Sequence, residues 1–319
     1  MENNHIVSIT DHIQSPVIEQ QILGSHLSKT VDYQSTILLV WHENINSSYL
    51  DKFPLLKAIV RYGVGFDNID LSECKKRNIV VCNTPDYGVE EVADTALAMI
   101  LMLNRNIKQL ETYALKNSGY WNGYPKPPSC SRLRNCKVGI IGLGRIGCNL
   151  AVKIKPLVES VSFYDPNISV GFEKSLGLFR TGDLDSLLEV SDIISINTTL
   201  NETTHELVDE SFLRKMKPNS TLVNVSRGGI FGNTLSILSA LSSGHLAGFG
   251  TDVWPNEPPL EKDAVFNTLT SDDKFRHRTI ITPHTAYYSD QAEIECRSKA
   301  ANNCLRIISN QKPFNIVTC

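Results

Sequence analysis

Gly142, Gly144 and Gly147 limit what this chain can fold into more than any other feature of its sequence. They follow the apolar run 138–141, which is predicted to be a buried strand because the glycines after it end any helix. In the spacing G-x-G-x-x-G, the first glycine permits a tight turn and the second lets backbone approach a pyrophosphate. The third glycine lets the next helix lie close to the strand. The N-terminus of that helix then directs its free N–H groups towards the phosphates. The pattern predicts a dinucleotide-binding unit of strand, turn and helix.

The run VSFYD, which follows this helix and ends in Asp165, indicates which nucleotide binds. An acidic side chain at the end of the second strand can accept hydrogen bonds from both hydroxyls of the adenine ribose. It would also repel the 2′-phosphate of NADP, and no arginine follows it in DPNIS to reverse that preference. We therefore predict NAD as the cofactor, in preference to NADP.

Length and charge bound the class of protein. A chain of 319 residues, 41% hydrophobic and 20% charged, is large enough for two hydrophobic cores. The net charge of −3 provides no basic surface for nucleic acid or an anionic membrane. The longest apolar stretch is too short to span a membrane and contains Asp94, and the first residues lack a signal-peptide pattern. We expect neither a nucleic-acid nor a membrane partner, and a cytoplasmic location, or a nuclear one in a eukaryote.

The eight cysteines give no sign of a special site. They form no C-x-x-C pair and have no histidines at metal-binding spacing. We therefore predict no metal site and no disulfide framework, and expect reduced, buried thiols.

Strand and helix patterns alternate from residue 137 onward, with short turns between them. Helix signals separate the strands, including Asp209 and Asn233 as N-caps and Gly244 as a helix end. The predicted strands are VGII, VSFY, IISIN, TLVNV, AGFGTDV and TIIT. Six strands in this arrangement predict an α/β domain with a doubly wound parallel sheet.

The first half shows the same alternation more weakly. HIVSI, TILLVW, LKAIV and NIVVCN are predicted strands, and Asp70 with Glu73 marks the start of a short helix. The segment 90–106 is apolar nearly all round, which predicts a helix buried between layers or at a subunit interface. The segment 119–128 is predicted to be an extended arm, either solvent-exposed or a dimer contact.

Polar side chains with catalytic potential follow the last strands of the nucleotide domain. Arg227 follows TLVNV, Asp252 and Glu257 follow the AGFGTDV run, and His284 follows TIIT. Since ligands of open α/β sheets bind at the carboxyl ends of the strands, these groups can converge on one crevice.

Several motifs in order resemble the D-isomer-specific 2-hydroxyacid dehydrogenase family, and most closely its C-terminal-binding-protein (CtBP-like) branch. The resemblance covers most of the chain, from about residue 37 to 308. It implies two Rossmann/flavodoxin-like domains, with a central NAD-binding domain, 105–284, inserted into a discontinuous catalytic domain, 1–104 and 285–319, and it implies a homodimer. The motifs are RYGVGFDNIDL, VCNTPDYGVEEVADTAL, GIIGLGRIG, VNVSRGG, TDVWPNEP and TPHTAYYSDQA.

The resemblance also implies a role for each candidate catalytic residue. The alkoxide left by hydride transfer needs a proton from a general acid, and histidine is the residue type suited to that role, so His284 would protonate it, with Glu257 fixing its tautomer. Arg227 would polarise the keto oxygen and pair with the substrate carboxylate. Asp252 would hold the nicotinamide carboxamide.

The binding residues implied by the resemblance lie in loops. For the substrate they are Gly63, Val64, Gly65 and Tyr287, with the loop 63–65 supplying backbone N–H groups to the carboxylate. For the cofactor they are Val64, Gly142, Gly144, Arg145, Ile146, Gly147, Asp165, Thr198, Thr199, Leu200, Asn201, Thr203, Val225, Ser226, Asp252 and His284.

Three features depart from the family pattern. Tyr287 stands where the CtBP-like branch commonly has Trp, so the substrate pocket is expected to differ. The segment between Glu257 and His284 is longer than usual, so their pairing does not follow from spacing. Glu261 is an alternative partner, although PNEP, which contains Glu257, matches the motif better. NTTLNETT replaces the family's His or Cys, Pro, Leu run at residues 197–204.

Two functions from different classes remain at this point. The first is an NAD-dependent oxidoreductase that interconverts a small 2-keto acid and a 2-hydroxy acid. The second is an NAD(H)-responsive partner-binding protein of the corepressor type, with little catalytic activity. The absence of a nuclear-import run favours the enzyme, and related chemistry such as phosphite or formate oxidation would need an oxyanion-binding set that is not found. The sequence does not name the keto acid, because the positions of Tyr287 and Trp121 in the fold are not readable from it.

Overall fold

The computed structural model describes residues 5–116, 121 and 128–317. The chain forms two compact α/β units, one comprising Met1–Gly88 and Tyr288–Cys319 and the other Val89–Tyr287. The sequence predicts these boundaries after residues 104 and 284. The structure instead places the helix Val89–Asn104 and residues 285–287 in the second unit. The predicted arm 119–128 lies outside the described residues, apart from Trp121 and Pro128.

The first unit is built on a parallel four-stranded sheet in the order β1-β2-β3-β4. The four strands that the sequence predicts in this half are confirmed, and buried aliphatic side chains such as Leu38, Val40 and Ile59 form its core. The side chain of Asp70 accepts a hydrogen bond from the backbone N–H of Glu73 and so caps its helix, as predicted. The elements are β1 Val7–Ile9, α1 Val17–Leu23, β2 Ile37–Val40, α2 Ser47–Leu50, β3 Ala58–Arg61, α3 Leu71–Lys76, β4 Val80–Cys82 and the long helix α13 Asp290–Ile308.

The second unit contains a parallel seven-stranded sheet in the order β11-β10-β9-β8-β5-β6-β7. The six predicted strands are confirmed, and the added strand, β7 Phe179–Arg180, is too short to give a sequence pattern. Chain order reverses between β5 and β8, which is where open α/β sheets bind ligands. The strands are β5 Lys137–Ile141, β6 Ser160–Tyr164, β7, β8 Ile193–Ile196, β9 Ser220–Asn224, β10 Leu246–Thr251 and β11 Thr279–Ile281.

Helices cover both faces of this sheet. The predicted caps are present, since Asp209 and Asn233 accept backbone N–H groups and Gly244 ends its helix at φ +80°. The helices are α4 Val89–Asn104, α5 Ile107–Lys116, α6 Arg145–Ile154, α7 Phe172–Leu176, α8 Leu184–Val190, α9 Glu210–Lys215, α10 Thr234–Ser243, α11 Ala264–Ser271 and α12 Asp273–Arg276.

Helix α4 belongs to the second unit because of what it packs against. Its buried side chains, such as Ala96, Met99 and Leu103, share one hydrophobic core with Val138 and Ile140 of β5. This burial against the sheet is one of the two environments that its apolar sequence predicts.

The described residues contain no helix long and apolar enough to cross a membrane. Over the same residues, no group of three or more His, Cys, Asp or Glu side chains is arranged to hold a metal ion. None of the seven described cysteines forms a disulfide bond, and five of them are buried in the two units.

Candidate active site

The glycine loop between β5 and α6 has the geometry that its sequence predicts. Gly142 turns the chain at φ +87°, in the left-handed region that favours glycine. A side chain at Gly147 would place its Cβ 2.1 Å from the carbonyl oxygen of Gly142, so only glycine allows the helix to lie this close. A Cβ at Gly144 would meet nothing within 4 Å, which leaves open space beside the loop. The loop therefore fits a diphosphate at its outer face.

The start of α6 offers N–H donors to that space. Gly144 is the N-cap of the helix and provides no capping side chain. Within the part of the chain that the structure describes, the N–H groups of Gly144, Arg145 and Ile146 donate to no protein acceptor. Free N–H groups at a helix N-terminus, together with the helix dipole, form a site for an anion.

Asp165 lies directly after β6, and its carboxylate connects two loops. Oδ2 accepts the N–H of Leu143 at 2.8 Å, and Oδ1 accepts the N–H of Asn167 at 2.8 Å. The carboxylate is thereby fixed beside the glycine loop, and each oxygen keeps capacity for a further donor. This position fits the adenine ribose hydroxyls.

Arg180, at the end of β7, holds the loop that follows Asp165, and sequence analysis did not single it out. Its guanidinium donates to the carbonyl oxygens of Asp165, Ile168 and Ser169 at 2.9–3.2 Å. It also pairs with Glu173 at 3.1 Å. An arginine is thus present near the ribose position, but its charge is shared with Glu173 and its donors fix the loop. The only sequence signal was an arginine at the end of a strand too short to recognise.

The loop 198–204 lies between the glycine loop and the Arg227 loop. A Cβ at Gly142 would lie 2.7 Å from Cα of Thr198, and one at Gly229 would lie 2.9 Å from the Leu200 side chain. Asn201 Oδ1 accepts the N–H of Thr203 at 2.9 Å, which closes a turn. Thr199 contributes its carbonyl oxygen to Thr204 Oγ1 at 2.6 Å.

The loop 63–65 of the first unit is held through its carbonyl oxygens. The carbonyl oxygen of Gly63 accepts Thr84 N at 3.0 Å, and that of Val64 accepts Asn83 Nδ2 at 2.7 Å. Within the described residues, the N–H groups of Gly63, Val64 and Gly65 donate to no protein acceptor. Gly63 has φ +123°, a conformation that side chains rarely adopt. Three successive unpaired N–H groups fit a carboxylate.

His284 and Glu257 form a hydrogen-bonded pair. Nδ1 of His284 lies 2.6 Å from Oε2 of Glu257, with 40% and 35% of the two side chains exposed. The intervening segment forms helices α11 and α12 and then β11, which returns the chain to the same edge of the sheet. Glu261, the alternative partner, contributes its backbone oxygen to Asn267 Nδ2. The backbone of His284 is itself left-handed, at φ +54°.

Three groups act on the carboxyl of Glu257. Burial raises the pKa of this carboxyl. Three contributions outweigh burial and lower the pKa below its usual value: the hydrogen bond and charge of His284, the N–H of Trp254 at 2.8 Å, and the charge of Arg227. Glu257 is therefore ionised at neutral pH and accepts the Nδ1 proton of the imidazole, which leaves Nε2 for a substrate.

Arg227 lies in a tight loop after β9. Asn224, which is fully buried, accepts Ser226 N at 2.9 Å and donates to the Arg227 carbonyl oxygen at 3.1 Å. A Cβ at Gly228 would lie 1.9 Å from the Trp254 carbonyl oxygen, so this glycine lets the Arg227 loop touch the segment before Glu257. Asn224 and Gly228 lie in the VNVSRGG motif, but nothing in the sequence identified their positioning role.

Asp252 is 2% exposed and holds the loop that carries His284. Its carboxylate accepts Thr282 Oγ1 at 2.6 Å and the N–H groups of Thr285 and Ala286 at 3.0 Å. Burial raises the pKa of Asp252, although these hydrogen bonds oppose the shift. The contact of Asp252 with the nicotinamide carboxamide stays a prediction.

The remaining candidate residues differ in accessibility. Val225 and Ser226 are buried, and their contact with a cofactor stays a prediction. Tyr287 packs against the same core as α4 and is the last residue of the second unit. Trp121, by contrast, is 75% exposed.

Comparison with known proteins agrees with this geometry. Residues 97–286 match the family model described as D-isomer specific 2-hydroxyacid dehydrogenase, NAD binding domain. A glyoxylate reductase of Thermofilum pendens is 31% identical over 293 residues, which cover 91% of this chain and 83% of that protein.

Two solved structures are similar over nearly their whole length. D-lactate dehydrogenase from Aquifex aeolicus, complexed with NAD and lactic acid, has a TM-score of 0.84 and 28% identity, covering 95% of this chain and 96% of that chain. An NADPH-dependent glyoxylate/hydroxypyruvate reductase from Sinorhizobium meliloti, in complex with NADP and malonate, has a TM-score of 0.83 and 25% identity, covering 99% and 97%. The chain therefore belongs to the D-isomer specific 2-hydroxyacid dehydrogenases, NAD-dependent oxidoreductases of 2-hydroxy acids.

Proposed function

We propose that this member of the family works as a reductase of short 2-keto acids such as glyoxylate, with NADH preferred to NADPH. The observation that carries the proposal is the 2.6 Å hydrogen bond between His284 and Glu257, beside Arg227. The named relative at 31% identity is a glyoxylate reductase, which supports a short substrate. The position of Asp165 supports NADH, because its carboxylate repels a 2′-phosphate.

The proposed roles follow from the chemistry that each group allows. NADH, when bound, supplies a hydride to the keto carbon, so the keto oxygen needs a proton. His284 gives that proton from Nε2, because Nδ1 is occupied by Glu257. Arg227 has a planar guanidinium, which polarises the keto oxygen and pairs with the adjacent carboxylate.

The binding groups divide in the same way. The N–H groups of Gly144, Arg145 and Ile146 take the diphosphate of NAD, and Asp165 takes the adenine ribose. The N–H groups of Gly63, Val64 and Gly65 take the substrate carboxylate. Tyr287 stays a candidate for contact with the substrate side chain.

A panel of 2-keto acids tests the proposal. NADH oxidation is followed optically with glyoxylate, hydroxypyruvate, longer aliphatic and aromatic 2-keto acids. We expect the short acids to be reduced with the highest kcat/KM. If the protein binds NADH tightly but reduces no member of the panel, the enzyme proposal fails and the NAD(H)-responsive partner-binding protein becomes the better one.

The finer predictions from the sequence concern branch, assembly and location. The CtBP-like resemblance stays a prediction, and the relatives named above are reductases and dehydrogenases. The homodimer and the cytoplasmic location also stay predictions. Light scattering at micromolar concentration tests the dimer, and a monomeric mass would overturn it.

A further inference from the structure

A buried charge network in the first unit has no part in the mechanism above. Glu19 on α1 is completely buried, and Arg297 on α13 is 9% exposed. The guanidinium of Arg297 meets the carboxylate of Glu19 in two parallel hydrogen bonds, Nε to Oε1 at 2.9 Å and Nη2 to Oε2 at 2.8 Å. Arg297 also donates to the carbonyl oxygen of Ser15 at 2.8 Å and to Glu293 at 3.2 Å. These hydrogen bonds offset the cost of removing both charges from water, which a buried ion pair requires.

The third member of the network is Tyr62, which precedes the loop 63–65. Its side chain is fully buried, and its hydroxyl donates to Glu19 Oε1 at 2.9 Å. Burial and the charge of Glu19 raise the pKa of Tyr62 well above its usual value, so the hydroxyl remains a donor at all working pH values. Tyr62 is thus attached to α1 and, through Glu19, to α13.

The backbone around Tyr62 is fixed as well. Its N–H donates to the Val40 carbonyl oxygen at 2.8 Å, and its own carbonyl oxygen accepts Arg61 Nη1. Thr84 Oγ1 donates to the Arg61 carbonyl oxygen at 3.1 Å. The backbone and the side chain of Tyr62 are therefore both held by hydrogen bonds at the point where the chain leaves β3 and enters the loop.

We infer that Tyr62, Glu19 and Arg297 form a positioning network that fixes the N–H groups of residues 63–65 for a substrate carboxylate. The inference rests on the proposed function, because it takes the loop as the carboxylate site. All three side chains are buried, so we assign them no direct contact with substrate or cofactor. Their effect is transmitted through the backbone of Tyr62, which a shift of α1 or α13 would displace.

Tyr62→Phe is the mildest test, because it removes the hydroxyl and leaves Glu19 with both Arg297 bonds. We expect KM for glyoxylate to rise about tenfold, since small displacements of positioned groups weaken binding strongly. We expect kcat at saturating substrate and the Kd of NADH to stay within about twofold of the unmodified values, because the network does not touch the residues of the proton transfer. Arg297→Lys keeps the charge but loses the fork, and should raise KM in the same direction.

Ser8→Ala is the matched control. Ser8 is fully buried in the same unit and bonds to Ser35 at 2.7 Å, but it lies on β1, two strands from β3. It should lower the Tm, as Tyr62→Phe does, without changing KM. If Tyr62→Phe and Arg297→Lys raise KM no more than Ser8→Ala, or change only kcat or the Kd of NADH, the inference is wrong.

Oxamate, a small unreactive carboxylate, separates this inference from the proposed function. Its affinity for the NADH complex, measured by calorimetry, should fall about tenfold in Tyr62→Phe and not in Ser8→Ala. If oxamate affinity changes in this way but no keto acid is reduced, the positioning network is supported and the reductase proposal is wrong. If glyoxylate is reduced, and Tyr62→Phe has the same KM and oxamate affinity as the unmodified protein, the reductase proposal is supported and the positioning network is wrong.

Discussion

Nδ1 of His284 lies 2.6 Å from Oε2 of Glu257, while the other carboxylate oxygen accepts the N–H of Trp254. Glu257 is thus held by backbone on one side and holds the imidazole on the other. Because its pKa is lowered, it carries a negative charge beside His284 throughout the neutral range. An ionised partner favours the imidazolium, which is the form that a reductase requires.

Glu257→Gln should move the alkaline limb of the pH profile to lower pH. A neutral amide stabilises the imidazolium less than a carboxylate does, so the proton needed for reduction is lost sooner as the pH rises. The profile of kcat/KM for glyoxylate reduction measures this, and the loss of rate should be largest at alkaline pH. Glu261→Gln is the control and should leave the profile unchanged. An equal shift in both variants would contradict the pairing as the cause.

His284→Ala should lower 2-keto acid reduction by roughly 10²- to 10⁴-fold, the usual contribution of a general acid. The Kd of NADH should change little, because the glycine loop and Asp165 remain. Steady-state rates and NADH fluorescence titration measure the two effects. A variant that keeps more than about a tenth of the activity would show that another group supplies the proton.

Arg227→Lys keeps the positive charge but loses the planar fork, so we expect KM to rise and kcat to fall together. Steady-state kinetics over a range of glyoxylate concentrations separates the two parameters. Arg214→Lys, at an exposed position of helix α9, is the control. Unchanged kinetics in Arg227→Lys would exclude bidentate recognition of the substrate.

Asp165→Ser should narrow the difference in affinity between NADH and NADPH. The unmodified protein should bind NADH far better, and loss of the carboxylate removes the repulsion of the 2′-phosphate together with two ribose acceptors. Kd values for both nucleotides, from fluorescence titration, measure the ratio. Asp185→Ser removes one negative charge from an exposed position in the same unit and should leave the ratio as it was. Equal affinities in the unmodified protein would refute the proposed preference.

Local patterns in the sequence were sufficient for the elements and for the glycine loop. The spacing of Gly142, Gly144 and Gly147 predicts a turn because each requirement involves residues close together in the chain. These requirements are a positive φ at the turn, the close approach of the following helix, and unpaired N–H groups at its start. Asp70, Asp209 and Asn233 were identifiable as caps for the same reason, since each bonds to the first turn of its own helix. The family motifs placed the candidate residues in chain order.

What the sequence could not decide are contacts between segments far apart in the chain. The PNEP motif favoured Glu257, but the long segment before His284 left Glu261 open as a substitute. Only the folded chain, which returns through β11, shows that His284 bonds to Glu257. Arg180 has no local pattern, because its bond to the Asp165 carbonyl oxygen forms only where the parallel strands β6 and β7 lie side by side. The burial of Glu19 against Arg297 likewise depends on the packing of α1 on α13. A local motif is specified by the few residues within hydrogen-bond reach along the chain, whereas these pairings exist only once the sheet and its helices have packed.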